Sequence, residues 1–490
     1  MKILMVSSEC VPYAKSGGLA DVVAALSRQL NISGHDVRIL IPGYSFLDLS
    51  NSETVIDKLG VIMGFREETL QITQKILPDS KVKVYFAEHP LFSERSGIYG
   101  EHGSHAYRDN HYRFSLLSAA SFSIAAKLNW IPNIIHSHDW PAGLVSSYLE
   151  ENKKNDNFAS TESVFTIHNT GYQGNFSKHD LHSTGLPWNA VSRNKARYID
   201  EINFLRSGIQ YSSAVTTVSP SYAEEIKIEG FGHGLEELLV SKKDSFCGIL
   251  NGVDYSEWNP EQDKLLELNF SAKKLNNKWK LKEKLQKKAG LKTDSGTALI
   301  GMVGRLVDQK GFGELCTNNT DNPGAIRQIC ENKDVQLVIL GTGEKWIEDE
   351  LRKLDEELPN LKVYLEFDNT LAHLIEAGSD FFLMPSKYEP CGLNQAYSLK
   401  YGSIPIVRAT GGLKDTVDDF LNNKKSGTGF HIPEMSSESI VSTVTSVLNL
   451  WRDSKKSIEE IRQRGMAMEF QWSKYAAEYE ALYTKCLNLD

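Results

Sequence analysis

The fold is decided by residues 2–30, KILMVSSECVPYAKSGGLADVVAALSRQL. Ile3 to Val6 predict a short buried strand, and the apolar residues from Leu19 to Leu30 recur at helical spacing. Between them lies the segment 15–19, KSGGL, whose paired glycines let the backbone approach a ligand closely. A strand, a glycine turn and a helix form the arrangement in which backbone N–H groups bind an anion. The stretch therefore predicts an α/β unit that binds a phosphorylated small molecule, with an ordinary tight turn as the alternative.

The same alternation continues along the whole chain. Further short apolar runs lie at 37–41, 134–138 and 164–168 in the first half, and at 298–303, 335–340, 363–367, 381–384 and 404–407 in the second. Strands that alternate with helical stretches are typical of βαβ units with parallel sheets. A chain of 490 residues is too long for one core. We expect two doubly wound, Rossmann-like α/β domains that face each other across a cleft.

The expected domain boundaries follow from where the series of strands starts again. The N-terminal domain is expected over 1–250, joined by a C-terminal helix at 470–490, and the C-terminal domain over 251–469. The segment 250–254, LNGVD, is the candidate hinge. The region 44–114 is less regular, and we interpret it as an insertion in the first domain. The lysine-rich stretch 273–288 is expected to be the solvated face of a connecting helix rather than a binding patch.

Composition and charge exclude several functional classes. The formal net charge of −9 argues against a nucleic-acid partner, which favours a basic surface. No window approaches the roughly 18 uninterrupted apolar residues of a membrane span. The chain starts at a core strand, which predicts no targeting peptide and a cytoplasmic protein. The six cysteines lie far apart, without a Cys-x-x-Cys or a Cys/His cluster, so we expect reduced thiols and no zinc site.

Polar residues follow the expected strands of the first half. Ligands of open α/β sheets bind outside the carboxyl ends of the strands. His138 and Asp139 follow one strand, and His168 follows the next. A histidine at a strand end is more often a structural residue than a catalyst. Because two such ends are expected to face the cleft, Asp139 and His168 are candidate functional residues.

The second half adds cations and a carboxylate at the same kind of position. Arg305 and Lys310 follow the run 298–303, and together with Lys15 they would neutralise a diphosphate. The alternative is two exposed basic residues in a loop. Glu389 lies in 385–395, PSKYEPCGLNQ, at the start of a helix whose backbone amides can bind phosphate or sugar hydroxyls. The segment 408–415, RATGGLKD, repeats the paired glycines before a helix.

In their order along the chain, these motifs resemble bacterial glycogen synthase and plant starch synthase, which are retaining glucosyltransferases of the GT-B type. The resemblance covers essentially the whole chain. The segments that match are 15–19 (KSGGL), 138–140 (HDW), 166–169 (TIHN), 202–205 (INFL), 217–220 (TVSP), 250–254 (LNGVD), 304–306 (GRL), 310–311 (KG), the segment around Glu389, and 410–413 (TGGL). The resemblance implies transfer of glucose from ADP-glucose to the non-reducing end of an α-1,4-glucan, with no cofactor.

The resemblance also implies the roles of individual residues. The implied catalytic residues are Asp139, His168, Arg305, Lys310 and Glu389. The implied substrate-binding residues are Lys15, Gly17, Gly18, Asp21, Tyr99, Asn251, Cys391, Gly392, Leu393, Thr410 and Gly411. Arg305 and Lys310 would stabilise the leaving diphosphate, and Glu389 would hold glucose hydroxyls. Tyr99 would stack on the nucleotide base.

Two features set this chain apart from related patterns. Many other retaining GT-B transferases have a second glutamate eight positions after the first, where this chain has Tyr397. No Asp-x-Asp occurs, so a metal-bridged diphosphate is not expected. A front-face mechanism, in which the leaving phosphate helps take the acceptor's proton, is implied by the family.

Other functions remain open at the level of sequence. A transferase with a small acceptor is the main enzymatic alternative, and a non-catalytic glucan-binding protein is the alternative from another class. A dinucleotide-dependent oxidoreductase is disfavoured, because no G-x-G-x-x-G follows an expected strand. The residues themselves do not distinguish ADP-glucose from UDP-glucose, or glycogen from starch, and they leave the oligomeric state open.

Overall fold

The structure of the protein is a computed structural model that describes residues 1–101, 106–154, 156–187, 201–317 and 323–488. The chain forms two compact units. The first consists of Met1–Gly252 and Trp472–Asp490, and the second of Val253–Gln471. The chain therefore passes from one unit to the other inside the segment 250–254, and it returns after Gln471. The main sheet of the first unit is mostly parallel and that of the second is entirely parallel, which confirms the expected α/β class.

The elements alternate along most of the chain. The strands are β1 (Lys2–Val6), β2 (Asp36–Pro42), β3 (Glu53–Met63), β4 (Arg66–Ile76), β5 (Lys83–Glu88), β6 (Ile134–His138), β7 (Glu162–Ile167), β8 (Asn175–Ser177), β9 (Glu201–Asn203), β10 (Ala214–Thr217), β11 (Phe246–Gly248), β12 (Ala298–Val303), β13 (Val335–Leu340), β14 (Leu361–Tyr364), β15 (Phe381–Met384), β16 (Ile404–Arg408) and β17 (Phe430–Ile432). The helices are α1 (Gly18–Ile32), α2 (Pro90–Ser93), α3 (Asn110–Lys127), α4 (Val145–Asn152), α5 (Phe204–Tyr211), α6 (Pro220–Glu225), α7 (Glu236–Ser241), α8 (Asn276–Lys288), α9 (Phe312–Cys316), α10 (Ala325–Cys330), α11 (Lys345–Glu357), α12 (Asn369–Gly378), α13 (Asn394–Tyr401), α14 (Gly411–Thr416), α15 (Ser437–Asp453), α16 (Lys455–Met466) and α17 (Trp472–Cys486).

The first unit is built on a nine-stranded sheet with the order β11-β10-β7-β6-β1-β2-β5-β4-β3. Strand β1 pairs in parallel with β2 on one side and with β6 on the other. The series β5-β2-β1-β6-β7-β10 therefore has the doubly wound order 3-2-1-4-5-6. In this order, the sequence of the strands reverses between β1 and β6. Ligand sites of such folds lie at that point.

Helix α1 follows the expected pattern of residues 2–30. It begins at Gly18, and it buries an apolar face that includes Leu19, Val22 and Leu26. The helix ends at Ile32, and Gly34 next to the cap adopts a left-handed φ of 94°. Local periodicity and one glycine were therefore sufficient to predict this element.

The region 44–114 is more regular than we expected. It contains β3 and β4, two eleven-residue strands that form an antiparallel hairpin and extend the sheet beyond β5. The register of this hairpin shifts between Thr54 and Leu59. Such an irregularity interrupts the period-two alternation by which strands are recognised, and this explains why the sequence did not predict the hairpin.

The second unit has a six-stranded parallel sheet with the order β14-β13-β12-β15-β16-β17. Counted from β12, this is again the order 3-2-1-4-5-6, so strand order reverses between β12 and β15. The strand expected at 363–367 lies earlier, at Leu361–Tyr364, and Phe367 is exposed. Among the described helices of both units, none is long and apolar enough to cross a membrane.

Helix α8 contradicts the expectation of a fully solvated lysine face. Lys278 and Lys282 are buried, although neighbouring lysines of the helix are exposed. The Lys278 ammonium donates to the carbonyls of Ala377 and Ser379, and Lys282 forms an ion pair with Asp380 at 2.7 Å. Long aliphatic stems allow these ammonium groups to reach polar atoms beneath the helix. Charge density along the sequence does not reveal which lysines turn inward.

Candidate functional site

The first group of candidate residues lies where strand order reverses in the first unit. The loop after β1 contributes Glu9 and the segment 15–18, β6 leads into His138 and Asp139, and β7 leads into His168. Parallel strands bring their carboxyl ends to one edge of the sheet. Residues from distant parts of the chain are thereby placed together at the position where open α/β sheets bind ligands.

Glu9 is a buried carboxylate that the sequence analysis missed. It is 2% exposed, and it accepts hydrogen bonds from the backbone N–H groups of Ser16 and Gly17 and from the Ser16 hydroxyl at 2.7 Å. A carboxylate on consecutive amides occupies the position that we expected for a phosphate. The Gly17 amide is therefore engaged by the protein itself, whereas no described residue accepts a hydrogen bond from the Gly18 amide.

Lys15 of the glycine loop is paired with Asp21 of α1. The Lys15 ammonium lies 2.8 Å from the Asp21 carboxylate, and both side chains are partly exposed. A Cβ added at Gly17 or Gly18 would meet no atom within 4 Å. These glycines therefore leave open space over the loop instead of relieving a contact inside the protein. Open space of this kind admits a ligand to the backbone.

Tyr99 anchors Glu9 from the other side. Its hydroxyl donates to Glu9 at 2.5 Å and lies 2.8 Å from the Ser8 hydroxyl. Its ring packs against Phe114 and Trp140, with centroids 6.0 and 5.9 Å away. Burial raises the pKa of Tyr99 well above its ordinary value, so the phenol remains a neutral donor. Stacking of Tyr99 on a nucleotide base stays a prediction.

Asp139 links the ends of β6 and β7. It has a φ of 55°, which is unusual for a residue other than glycine, and its carboxylate accepts a hydrogen bond from the backbone N–H of His168 at 2.7 Å. Burial raises the pKa of Asp139 to about 7, and the nearby Glu9 charge adds to this rise. Backbone strain kept at such a position is typical of functional sites. Asp139 therefore positions His168 rather than standing free in solvent.

Three histidines occupy the ends of these two strands. His136 and His138 on β6 are fully buried, and the Nδ1 atom of His138 lies 3.2 Å from Nε2 of His168. Burial lowers the pKa of His136 and of His168 to about 3. His168 is therefore neutral at pH 7. In this state it serves as a hydrogen-bonding group and does not supply a proton as an imidazolium.

Asn251 lies at the end of the first unit. The residue is 9% exposed, and its buried Oδ1 atom accepts no hydrogen bond from any residue that the structure describes. A buried amide oxygen without a donor is costly unless a ligand or water supplies one. This position is compatible with the expected contact to a sugar hydroxyl.

The second group of candidate residues lies between β12 and β15 in the second unit. Lys310 follows β12 and forms an ion pair with Glu389, which follows β15. The Ser386 hydroxyl donates to the same carboxylate oxygen at 3.0 Å. The Glu389 side chain is 7% exposed, whereas Lys310 remains 25% exposed. Arg305 follows β12 directly and is exposed at the same strand end.

Close backbone contacts bring these two loops together. Gly311 has a φ of 85°, and a Cβ there would lie 2.1 Å from the Pro385 carbonyl oxygen. The Lys387 amide donates to the Gln309 carbonyl at 2.8 Å, and the Gln309 side chain donates to the Tyr388 carbonyl at 3.1 Å. Only glycine fits at position 311, so this residue permits the approach that pairs Lys310 with Glu389.

The glycine pair of the segment 408–415 packs against the Glu389 loop. A Cβ at Gly411 would lie 2.0 Å from the Glu389 carbonyl oxygen, and the Gly412 amide donates to that oxygen at 3.1 Å. These contacts give Gly411 a packing role that the sequence analysis did not foresee. Its role in substrate binding, like that of Thr410, stays a prediction.

Gln395 holds the same loop from inside and was not predicted. Its side-chain amide is buried and donates to the carbonyls of Cys391 and Gly392 at 3.1 and 3.0 Å. Gly392 has a left-handed φ of 69°. The segment 390–393 is therefore shaped by its own hydrogen bonds. A polar residue one turn into a helix gives no signal in the sequence that it turns back onto the preceding loop.

Tyr397 is part of an aromatic stack in the second unit. Its ring lies flat on Trp258, with centroids 4.0 Å apart, and Trp258 stacks in turn on His373 at 3.7 Å. His373 is hydrogen-bonded to the buried carboxylate of Asp263. The position at which related transferases have a second glutamate is thus part of an aromatic stack in this protein.

The chemistry available at these positions is that of anion and sugar recognition. The first unit contributes the cation Lys15 and the neutral groups of His168 and Asn251, and the second unit contributes the cations Arg305 and Lys310. Among the described residues, no group of three His, Cys, Asp or Glu side chains is arranged to hold a metal ion. Cations of this kind suit phosphate oxygens, and neutral hydrogen-bonding groups suit sugar hydroxyls.

The two units match two known protein families. Residues 2–241 match the family described as the starch synthase catalytic domain, and residues 283–464 match glycosyl transferases group 1. Whole-chain relatives include a glycogen synthase of Treponema denticola, which is 45% identical over 487 residues and covers 99% of both chains. A glycogen synthase of Anaeromyxobacter sp. is 40% identical over 491 residues, again covering 99% of both chains.

Solved structures resemble the whole chain as well. The catalytic domain of starch synthase IV from Arabidopsis thaliana, bound to ADP and acarbose, has a TM-score of 0.89 and 30% sequence identity, and covers 99% of each chain. Sucrose-phosphate synthase from Thermosynechococcus elongatus has a TM-score of 0.62 at 15% identity, and this likeness concerns the fold alone.

Proposed function

The chain belongs to the glycogen and starch synthase family of glycosyltransferases, and from this premise we propose that it transfers glucose from ADP-glucose to the non-reducing end of an α-1,4-glucan with retention of configuration. The glycogen synthase names of relatives with 40–45% identity over the full length support the reaction. The starch synthase structure bound to ADP supports an adenine nucleotide as the leaving group.

The observation that best supports the proposal is the pairing of Lys310 with the buried Glu389 at the strand reversal of the second unit. An ammonium group has three N–H donors, and Glu389 accepts from one of them. The other two could bind phosphate oxygens, and Arg305 follows the same strand, β12. A carboxylate that is itself positioned by Ser386 suits hydroxyls of the transferred glucose.

The reaction then depends on stabilising the leaving group. The bond between the anomeric carbon and the phosphate oxygen breaks, and its electron pair leaves with the nucleoside diphosphate. Arg305, Lys310 and Lys15 would offset the negative charge that develops there. The hydroxyl oxygen of the acceptor bonds to the anomeric carbon on the same face. Its proton passes to the departing phosphate, which restores the balance of charge.

The neutral groups of the first unit suit the sugar side of this reaction. The anomeric carbon gains positive character as the diphosphate leaves, so a protonated histidine beside it would be unfavourable. The low pKa of His168 avoids this charge. Asp139 holds the His168 backbone in place and Asn251 offers an amide oxygen to a sugar hydroxyl.

The test is the release of nucleoside diphosphate with glycogen as primer. We expect ADP-glucose to support turnover and elongation of the primer, and UDP-glucose to support much less. We expect Arg305→Ala to lower kcat by about 10²–10³, the usual loss for one preorganised charge contact. An Arg305→Ala enzyme with an unchanged rate would contradict the role of this cation.

Two alternatives give different outcomes in the same assay. A transferase with a small acceptor would release ADP with glucose or maltose and leave glycogen unchanged. A glucan-binding protein without activity would bind glycogen and release no nucleotide from either donor. Either result would overturn the proposed function.

A further inference from the structure

The two histidines at the ends of β6 and β7 form a direct ring-to-ring hydrogen bond. Nδ1 of His138 lies 3.2 Å from Nε2 of His168, with an angle of 44° between the ring planes. Such a bond requires a proton on one nitrogen and a lone pair on the other. The two rings therefore determine each other's tautomers.

The ring of His138 is held in place from behind. It is fully buried and packs against the His136 ring, with centroids 4.2 Å apart and an angle of 30° between the planes. His136 is itself bonded at both nitrogens, to the Tyr483 hydroxyl of α17 at 2.7 Å and to the Thr166 hydroxyl at 2.6 Å. The orientation of His138 is thus set by the sheet and by the C-terminal helix of the chain, both of which belong to the first unit.

Burial decides how many protons the pair shares. It lowers the pKa of His138 well below its ordinary value, and it lowers the pKa of His168 to about 3. Both rings are therefore neutral at pH 7, and each has a single N–H group. Only two arrangements remain, because the proton between the rings belongs either to His138 or to His168.

The free nitrogen of His138 distinguishes these two arrangements. Its Nε2 atom is buried and has no hydrogen-bond partner among the described residues. If His168 donated to His138, the proton of His138 would lie on this Nε2 atom as a buried donor without an acceptor. If His138 donates, Nε2 has only a lone pair, and proteins tolerate an unsatisfied acceptor better than an unsatisfied donor.

We propose that His138 is a positioning residue that donates its Nδ1–H to His168 and thereby holds His168 as the Nδ1–H tautomer. The half-buried His168 ring then presents a neutral N–H donor on the side away from His138. In terms of the proposed function, on which this inference rests, that donor suits an oxygen of the transferred sugar or of the leaving phosphate. The opposite tautomer would present a lone pair, which repels a phosphate oxygen and can only accept a hydrogen bond from a hydroxyl.

The tautomer can be read directly in the donor-free protein. The full chain is labelled with ¹⁵N-histidine, and long-range ¹H–¹⁵N spectra at pH 7 show which ring nitrogen holds the proton. The signals of His168 are assigned from their loss in His168→Gln. We expect His168 to be protonated at Nδ1. A His168 protonated at Nε2 would overturn the proposal, whatever the activity of the enzyme.

Two substitutions of nearly equal size separate positioning from packing. His138→Asn retains a side-chain N–H donor close to the position of Nδ1, whereas His138→Leu has a similar shape and no polar atom. We expect His138→Asn to remain within about threefold of the parent kcat and to keep the Nδ1–H signal of His168. We expect His138→Leu to lose on the order of tenfold in kcat and to show both tautomers of His168.

The opposite order of the two variants would contradict a positioning role. If His138 only fills space, the apolar leucine replaces it at least as well as asparagine, and both variants keep the parent tautomer of His168. Melting temperatures of the two variants show that each is folded. If the proposed function is wrong, the parent protein shows no turnover, but the tautomer of His168 can still be measured. Failure of the function is therefore distinguishable from failure of the tautomer proposal.

Discussion

At the scale of single residues, Lys310 shows how one cation is placed for a reaction. It is 79 residues away from Glu389 in sequence, yet the two are paired because the loops after β12 and β15 meet at the strand reversal. A carboxylate that is 7% exposed is stable beside a cation and unfavourable without one. In the proposed function, the pair would supply both a fixed ammonium group and a fixed acceptor for sugar hydroxyls.

Replacing Lys310 tests this assignment. We expect Lys310→Gln to lower kcat by about 10²–10³, because it removes charge at the leaving group and leaves Glu389 unpaired. Initial rates of ADP release with saturating ADP-glucose and glycogen measure the effect. Lys387→Gln is the matched control, since Lys387 also bridges these loops but pairs with Asp308 and Glu314. Equal losses in the two variants would mean that loop packing, and not charge at the reaction centre, limits the rate.

At the scale of elements, the glycine loop between β1 and α1 has its own internal anion. Glu9 is bonded to two consecutive amides and the Ser16 hydroxyl, and Tyr99 donates to it from across the fold. The loop is therefore held in shape before any donor binds. Preorganisation of this kind lowers the entropy that binding must overcome.

Glu9→Gln weakens this internal support without removing much volume. We expect the KM for ADP-glucose to rise about tenfold, because charge-assisted hydrogen bonds to the loop amides become neutral ones. Ser16→Ala removes only the side-chain bond and leaves both amides engaged, so we expect a smaller rise. Steady-state kinetics with varied ADP-glucose measure both variants. A lower KM in Glu9→Gln would show instead that Glu9 competes with the donor phosphates.

Elements also differ in how well their sequence predicts them. The spacing of the apolar residues and a terminal glycine were sufficient to predict α1, since both are local signals. In α8 the same kind of pattern failed, because Lys278 and Lys282 find a carbonyl partner at the end of α12 and a carboxylate partner just before β15, about a hundred residues later. A helix sequence does not contain the polar atoms that its partner will offer.

At the scale of the whole molecule, the buried histidines of the first unit connect stability to pH. Unfolded histidines bind protons below about pH 6.5. His136 and His168 in the folded protein do so only near pH 3, and His138 also has a lowered pKa. Unfolding below pH 6.5 therefore takes up protons, and the free energy of unfolding falls as the pH falls. Asp139 acts in the opposite direction, because its folded pKa of about 7 lies above the unfolded value, so its contribution to stability falls as pH rises towards 7.

The net effect of these four groups is a loss of stability in mild acid. Between pH 6 and 4, each of these histidines lowers the free energy of unfolding by at most about 1.4 kcal/mol for each pH unit of acidification. The opposite effect of Asp139 cancels the contribution of about one histidine. Urea unfolding followed by circular dichroism at pH 7, 6 and 5 measures the slope. This slope is the change in the free energy of unfolding per pH unit. We expect His136→Gln to reduce it by the contribution of one bound proton. A variant with the parent slope would show that His136 is protonated in the folded protein as well.

The sequence alone determined the class of fold, the family and the candidate functional residues. Strand and helix periods, loop glycines and polar strand ends are local, so they remain visible without a structure. The tertiary structure decided which groups meet. The order 3-2-1-4-5-6 in each sheet brings β1 beside β6 and β12 beside β15, and only this arrangement pairs Lys310 with Glu389 and His138 with His168. Contacts between distant segments also determine the partners of the glycine loop, the proposed tautomers of the histidines and the burial of Lys278 and Lys282. No local pattern of the sequence encodes these contacts.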